Sequence, residues 1–437
     1  MTVPQVYLCR APGDPWYRQK EQLVHLGSAP VGLLILASAV KDRANVRVVD
    51  GLGKSIESVG AQLNGDIVGI SETYASHGNA MKLARIAKEK GAMTIVGGPS
   101  VNAIPERILA NHPYVDYVIC GPGEKALSAL IAGEPLESIK GLAYRSKDGI
   151  VVNPRERVRP DTIFDLESLV DWHQLNRENF FPLAGVYGCS KAAKSERCSF
   201  CSIDTKMGVM DPKSYWRQIR LLHEVYGLRK FWETGDEFKA GNWPQRLIDT
   251  KPDDLEVALK GYFSANNITL DTIEMMKRLN FEEAFIGIES TSDEILQRAG
   301  KSYVFAGVEG ALGLLSKTGI RGHFPFLIGL LGETPATAQA TYEYSQHVLE
   351  LFPDANIFAG NLVILPGTKY FGMMQNDERV RAEYSGDLDR DDFFDYDQLW
   401  RLWSKYFLGV DHVILEDFAE RIRNSAQEGR RTAFFNR

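Results

Sequence analysis

Gly188-Cys189-Ser190-Lys191-Ala192-Ala193-Lys194-Ser195-Glu196-Arg197-Cys198-Ser199-Phe200-Cys201 is the stretch on which the reading of this chain turns. Cys189, Cys198 and Cys201 place three thiols on one loop. Three thiolates can hold three irons of a [4Fe–4S] cube and leave the fourth iron open to a chelating ligand, which makes such a site reactive. Zinc is the other occupant of clustered cysteines, but it usually takes four ligands, with a second Cys or His pair further along. The remaining cysteines, Cys9 and Cys120, are distant and single. The residues therefore favour the cluster over zinc.

Outward from this loop, hydrophobic periodicity sets the architecture. An apolar run at 183–187 reads as a strand that delivers Cys189, and strand-like runs follow at 229–232, 256–263, 284–288, 323–330 and 356–364. Helical segments separate them, so six β/α units suit an incomplete (β/α) barrel. Upstream, strands at 3–8, 46–49, 66–70, 93–96 and 115–119 alternate with helical spacing at 31–41 and 79–90. That alternation predicts a doubly wound parallel sheet, with ligands beyond the carboxyl ends of its strands. Gly97-Gly98-Pro99 and Gly121-Pro122-Gly123 fall at two such ends. There the backbone either turns tightly or approaches a ligand. Residues 139–153 read as a hairpin turning at Asp148-Gly149. The expected layout is an α/β domain over 1–153, a linker over 154–181, the barrel over 182–370 and a short, mostly helical segment over 371–437.

Composition narrows the function. The chain has 437 residues and a net charge of −7, so nothing points to a nucleic-acid or anionic-membrane surface. Five cysteines, three of them clustered, fit a reducing compartment rather than a disulfide framework. The apolar run at 31–40 is too short to span a bilayer and follows no basic signal-peptide start. The expected location is the cytoplasm, with no membrane and no nucleic acid as partner.

The cysteine run, after the first barrel strand, resembles that of the radical S-adenosylmethionine superfamily, where the usual spacing is Cys-x3-Cys-x2-Cys. Here it is Cys-x8-Cys-x2-Cys, with an aromatic, Phe200, between the last two cysteines. A longer loop adds little closure entropy. Further stations recur in order. Glu233-Thr234-Gly235-Asp236-Glu237 resembles the segment that meets the methionine amino group. Gly287-Ile288-Glu289-Ser290 is similar to a Gly-Ile-Glu-Ser strand end, which places Glu289 near the ribose or methionyl end. Ile328-Gly329-Leu330-Leu331-Gly332-Glu333-Thr334 and Leu365-Pro366-Gly367-Thr368 resemble the turns after the fifth and sixth strands. Ser264-Ala265-Asn266 stands where an arginine is frequent. The resemblance implies Cys189, Cys198 and Cys201 as cluster ligands, and Phe200, Gly235, Asp236, Glu237, Ser264 and Glu289 as contacts of S-adenosylmethionine.

The N-terminal part resembles the cobalamin-binding domain fused to many of these enzymes, through Ala29-Pro30-Val31-Gly32-Leu33-Leu34, Gly97-Gly98-Pro99 and Asp116-Tyr117-Val118-Ile119-Cys120-Gly121-Pro122-Gly123-Glu124. The implied cobalamin contacts are Ser71, Thr73, Gly97, Gly98, Pro99, Gly121 and Gly123. No Asp-x-His-x-x-Gly is present, so that motif offers cobalt no histidine. A Rossmann-like domain that binds no cofactor is the alternative.

The resemblance thus implies a cobalamin-dependent radical enzyme, a C-methyltransferase of a small-molecule or natural-product intermediate. It would form a 5′-deoxyadenosyl radical and draw electrons from a donor such as flavodoxin or ferredoxin. Cyclisation, rearrangement or oxidation without methyl transfer is the alternative, and a non-catalytic sensor the remote one. His25, His77, His112, His173 and His223 are assigned no role, and His323 is left as a candidate for the barrel cavity. Trp216, Trp232 and Trp243 read as packing, and Cys9 and Cys120 as small buried hydrophobes. Asp391, Asp392, Asp395 and Asp397 read as a solvated face. Tyr342, Tyr344 and Tyr370 carry no requirement.

Overall fold

The computed structural model describes residues 3–14, 29–156, 161–192 and 197–435. It divides into two compact units. The first comprises residues 1–184, 213–229 and 390–393, and the second residues 185–212, 230–389 and 394–437. His25 lies outside the described residues.

β-branched and apolar runs build the sheet of the first unit. Its strands are β1 (Gln5–Arg10), β2 (Asn45–Asp50), β3 (Ile67–Ser71), β4 (Met93–Gly97) and β5 (Tyr117–Ile119). The hairpin supplies β6 (Leu142–Ser146) and β7 (Gly149–Val152), and the order is β2-β1-β3-β4-β5-β6-β7. The first five strands are parallel, as the alternation of strand and helix requires. The hairpin adds two antiparallel strands at one edge, so the sheet is mixed. The core on one side joins Val68, Ile70 and Val96 to Leu83, Ala84 and Ala87 of the helix His77–Glu89, and includes Cys9 and Cys120.

The expected single strand at 183–187 is broken into β8 (Phe181–Leu183) and β9 (Val186–Tyr187). β9 pairs antiparallel with β10 (Gly208–Val209), closing a small ribbon across the cysteine loop. The break follows from Glu233, whose carboxylate takes the N–H groups of Gly185 and Val186 out of the main sheet. The main sheet of the barrel has six strands. Five belong to the second unit: β11 (Lys230–Glu233), β12 (Ala258–Ser264), β13 (Phe281–Gly287), β14 (Arg321–Ile328) and β15 (Asn356–Asn361), each parallel to the next.

Hydroxyl caps start the helices that follow these strands. Thr269, Ser292, Thr334 and Thr368 each accept a backbone N–H of the first turn, and Thr334 forms a capping box with Thr337. The caps fix where each loop ends, and with it the rim of the sheet. The C-terminal segment is helical over Lys369–Gln375, Glu378–Glu383, Tyr396–Trp403 and His412–Phe435. No helix among the described residues is long and apolar enough to cross a membrane.

Candidate active site

The three cysteines meet at the carboxyl ends of β9 and the barrel strands. Gly188 turns the chain into the loop at φ +69°, and a Cβ there would lie 2.4 Å from Thr205 O, so only glycine fits. The Cys189 N–H bonds Thr205 O at 3.1 Å, and that of Cys201 bonds Cys198 O at 3.1 Å. Residues 193–196 of the loop lie outside the described residues. All three thiols are free and partly exposed. Burial pushes the Cys201 thiol up to about 11, against the Ile203 N–H, and the charges of Cys198, Asp236 and Cys189 push the same way. The three sulfurs and Asp236 thus share one electrostatic neighbourhood.

Several elements clamp the loop. Ser199 N–H bonds Ala299 O at 2.9 Å and its hydroxyl bonds Arg298 O at 3.1 Å. Tyr370 N–H bonds Ser199 O at 3.2 Å, and Lys191 Nζ reaches Gly300 O at 3.3 Å. The loop therefore rests on the C-terminal end of the helix Asp293–Arg298 and on the first turn of the helix Lys369–Gln375. Tyr370 is buried, and its hydroxyl accepts the Leu331 N–H, so it serves packing.

The acidic strand end divides its labour. Glu233 is fully buried and accepts three backbone N–H groups, from Gly185 at 2.9 Å, Val186 at 3.0 Å and Gly235 at 3.1 Å. Gly235 has no room for a side chain, since a Cβ would lie 2.5 Å from that of Val186. Asp236 opens to solvent at the rim, yet the surrounding protein desolvates its carboxyl and lifts it to about 6. Glu237 is buried, and its Oε2 accepts the Ser264 N–H at 3.0 Å, while Oε1 has no hydrogen-bond partner. Burial raises its carboxyl above the usual range.

Glu289 takes a left-handed backbone, φ +63°, and pairs with Lys301 Nζ at 2.8 Å. Both side chains are mostly buried. Burial works against the Lys301 charge, but Glu289, Tyr303 and Cys198 more than offset it and hold the ammonium above its ordinary range. Lys301 also stands 5.4 Å from the Phe200 ring centre. The motif order singled out Glu289 and gave no sign of Lys301. Only the twelve-residue return of the chain brings the ammonium to the cysteine loop.

Further down the strands, Lys260, Glu283 and His323 form a buried network. Glu283 Oε2 lies 2.8 Å from Lys260 Nζ and 2.7 Å from His323 Nε2. Burial opposes the Glu283 charge, but bonds from His323 and Lys260 hold the carboxyl down near 2. Trp232, Tyr262 and Phe285 stack above it, and Trp232 Nε1 has no hydrogen-bond partner. His323 is thus a member of this network, against the Phe285 ring at 4.3 Å.

In the first unit, Ser71, Thr73, Gly97, Gly98, Pro99, Gly121 and Gly123 lie at or just past the ends of β3, β4 and β5, which are neighbours in the sheet. Thr73 and Pro99 are exposed. A Cβ on Gly97 or Gly121 would make only ordinary contacts, at 3.6 Å to Ile119 O and 3.8 Å to Glu156 O, although the left-handed backbone of Gly121, φ +82°, itself favours glycine. Gly98 is different. Its φ is +120°, and a Cβ would lie 2.2 Å from Glu72 O, so the chain's own packing requires glycine there. The reading of Asp392 as part of a solvated face is corrected: it is buried and bonded to His77, His112 and Asn111.

These features define the class: an α/β protein with a Rossmann-like sheet, followed by a partial barrel that gathers three thiols at its strand ends. Comparison with known proteins gives the family. Residues 25–131 match the B12 binding domain, and residues 187–345 match the radical SAM superfamily. The chain is 27% identical over 357 residues to an uncharacterised methyltransferase, PH0819, of Pyrococcus horikoshii, covering 75% of each. It is 24% identical over 315 residues to the anaerobic magnesium-protoporphyrin IX monomethyl ester cyclase of Cereibacter sphaeroides, of which it spans 49%, with 64% of its own length. The structure of TsrM from Kitasatospora setae, a radical S-adenosylmethionine methyltransferase with cobalamin and a [4Fe–4S] cluster bound, superposes with a TM-score of 0.68 at 20% identity, over 84% of this chain and 77% of that one. The chain belongs to the cobalamin-binding radical S-adenosylmethionine enzymes. Its cofactors are a [4Fe–4S] cluster, S-adenosylmethionine and cobalamin. The residues present fit them: three free thiols, an orphaned carboxylate oxygen on Glu237, and Gly97 and Gly121 at adjacent strand ends, where no close contact crowds the backbone.

Proposed function

We propose that the protein is a cobalamin-dependent radical S-adenosylmethionine C-methyltransferase acting on a small molecule, with a natural-product intermediate as the substrate class. The observation that carries this reading is the joining, in one chain, of a B12-binding domain and a three-cysteine barrel site, in a sequence whose PH0819 relative bears the name methyltransferase. When bound, the reduced cluster supplies the electron that breaks the sulfonium bond of S-adenosylmethionine, and cobalamin supplies the methyl group.

The chain's own residues hold and orient. Cys189, Cys198 and Cys201 are assigned to the cluster, and Lys301 places a cation beside Cys198 to balance the thiolate charge. Glu289 acts through Lys301, which it fixes at 2.8 Å. Asp236 offers the cationic amino group a carboxylate at the rim, Glu237 orients the Ser264 backbone, and Gly235 lets this strand end pack against Val186. Phe200 presents an aromatic face to the adenine. The aromatic floor of Trp232, Tyr262 and Phe285 keeps water from the reacting carbon. Ser71, Thr73, Gly97, Gly98, Pro99, Gly121 and Gly123 are assigned to the cobalamin site. Electrons come from a low-potential donor such as flavodoxin or ferredoxin, in a reducing cytoplasm.

The cyclase relative favours a second reading, radical cyclisation or oxidation without methyl transfer. Product analysis separates the two. Methyl transfer leaves S-adenosylhomocysteine from the methyl donor together with 5′-deoxyadenosine, and the second reading gives 5′-deoxyadenosine alone. Absence of S-adenosylhomocysteine from anaerobic, cobalamin-loaded enzyme given its substrate refutes the methyltransferase assignment.

A further inference from the structure

Asp392 stands 315 residues from His77 in the chain, yet within the first unit the two are bonded. His77 opens the helix His77–Glu89, just past the end of β3, and His112 follows the helix Pro105–Asn111. Both rings present Nε2 to one carboxylate oxygen: Asp392 Oδ2 lies 2.9 Å from His77 Nε2 and 2.5 Å from His112 Nε2. The other oxygen, Oδ1, accepts from Asn111 Nδ2 at 2.7 Å. The far side of each ring is also held. His77 Nδ1 is 2.7 Å from Glu72 Oε2, and His112 Nδ1 is 2.7 Å from the Tyr114 hydroxyl.

Metal-bound histidines have this arrangement, one ring nitrogen to the ion and the other to a carboxylate or another oxygen that fixes tautomer and orientation. The two ring nitrogens and the carboxylate oxygen all lie within 4.8 Å of one another. Glu72, His77 and Asp392 are 1%, 5% and 7% exposed, and Glu72 Oε1 is buried without a hydrogen-bond partner. Two buried carboxylates thus face two imidazoles, and neutral imidazoles would leave their charge of −2 uncompensated, which a dication would balance. An open cavity of about 600 Å³ reaches the rings and is lined by His77, His112, Tyr114 and Phe393. Lys82, Arg85 and Glu57 also line it, so the cavity itself does not concentrate cations, and selectivity falls to the three convergent donors.

The geometry points to a zinc site in the B12-binding unit, in which His77 Nε2, His112 Nε2 and Asp392 Oδ2 bind one Zn²⁺ and water from the cavity completes the tetrahedron. The site is structural: it fastens residues 390–393 to two helices that lie about 280 and 315 residues earlier in the chain. It is separate from the cysteine site and does not depend on the methyltransferase reading.

The test uses full-length protein loaded with cluster and cobalamin, equilibrated with zinc sulfate and desalted. Zinc and iron are counted per chain in the wild type, Asp392→Asn and His112→Gln. The expected result is about one zinc in the wild type, at least a tenfold loss of zinc affinity in each variant as for weakened metal shells, and unchanged iron. Zinc-edge X-ray absorption on the wild type alone should show a nitrogen and oxygen shell at about 2.0 Å with no sulfur, which guards against variants that fail to fold. Wild-type protein that retains no zinc, equal zinc in all three proteins, or a sulfur shell overturns the site.

Discussion

Replacing Glu233 by Gln removes one oxygen and one negative charge from the junction that sets the cysteine loop. The carboxylate accepts from Gly185, Val186 and Gly235 with no exposure to water. An amide keeps a single acceptor oxygen. If that oxygen stays with Val186 and Gly235, the Gly185 N–H faces an NH₂ group. Hydrogen bonds to a charged acceptor are worth about 1.5–3 kcal/mol and neutral ones about 0.5–1.5, and a buried donor left unpaired costs about 1–3. One bond lost and two weakened give about 3–5 kcal/mol, and relief from burying the charge lowers the net to about 3 kcal/mol. For a unit of this size, each kcal/mol moves the midpoint by about 2–4 °C, so Glu233→Gln should melt about 6–12 °C lower. Thermal unfolding of the metal-free chain reads this directly, and reconstitution should recover less iron because residues 185–189 lose their anchor. A midpoint shift under about 2 °C with full iron content would show that Glu233 does not position the loop.

Three further outcomes are expected. Asp236 holds its proton to about pH 6 when folded and to about 3.8 when unfolded, so its contribution to stability is present at low pH and lost as pH rises through that window. Binding of the cationic cosubstrate has the opposite sign: it should tighten from about pH 5 to 7 in the wild type, and Asp236→Asn should flatten that dependence in a calorimetric titration. Lys301→Met and Glu289→Gln should each destabilise by about 3 kcal/mol by leaving a buried partner unpaired. The double variant should lose clearly less than the sum in denaturant unfolding. Gly98→Ala should lower the melting point of the first unit whether or not cobalamin is supplied, since the clash is with Glu72 O, whereas Pro99→Ser at the exposed rim should leave it unchanged.

What the sequence made legible was what is local and periodic. Strand and helix alternate with their own hydrophobic periods, so the parallel order of β1 to β5 and of β11 to β15 could be expected from the runs themselves. The cysteine trio is compact in sequence, and its spacing carried the chemistry. Long-range partners were not legible. Glu233 breaks an apparently continuous strand because its carboxylate captures Gly185 and Val186, 48 and 47 residues away. Asp392 sits in a run of acids that looks solvated, and only the fold brings His77 and His112 to it. The glycines at 97 and 98 look alike in sequence. A side chain at 97 would make only an ordinary contact with Ile119 O, whereas 98 is pressed against Glu72, a difference that only backbone geometry shows.

The central claim is that one chain carries both a cluster and cobalamin, and metal counting tests it most directly. Full-length protein is reconstituted anaerobically with iron, sulfide and cobalamin, desalted, and analysed beside the Cys198→Ala variant. The account predicts about four irons per chain and about one cobalt per chain in the wild type. The variant should lose the iron and keep the cobalt. Wild-type protein that retains iron without cobalt, or a variant with undiminished iron, would contradict it.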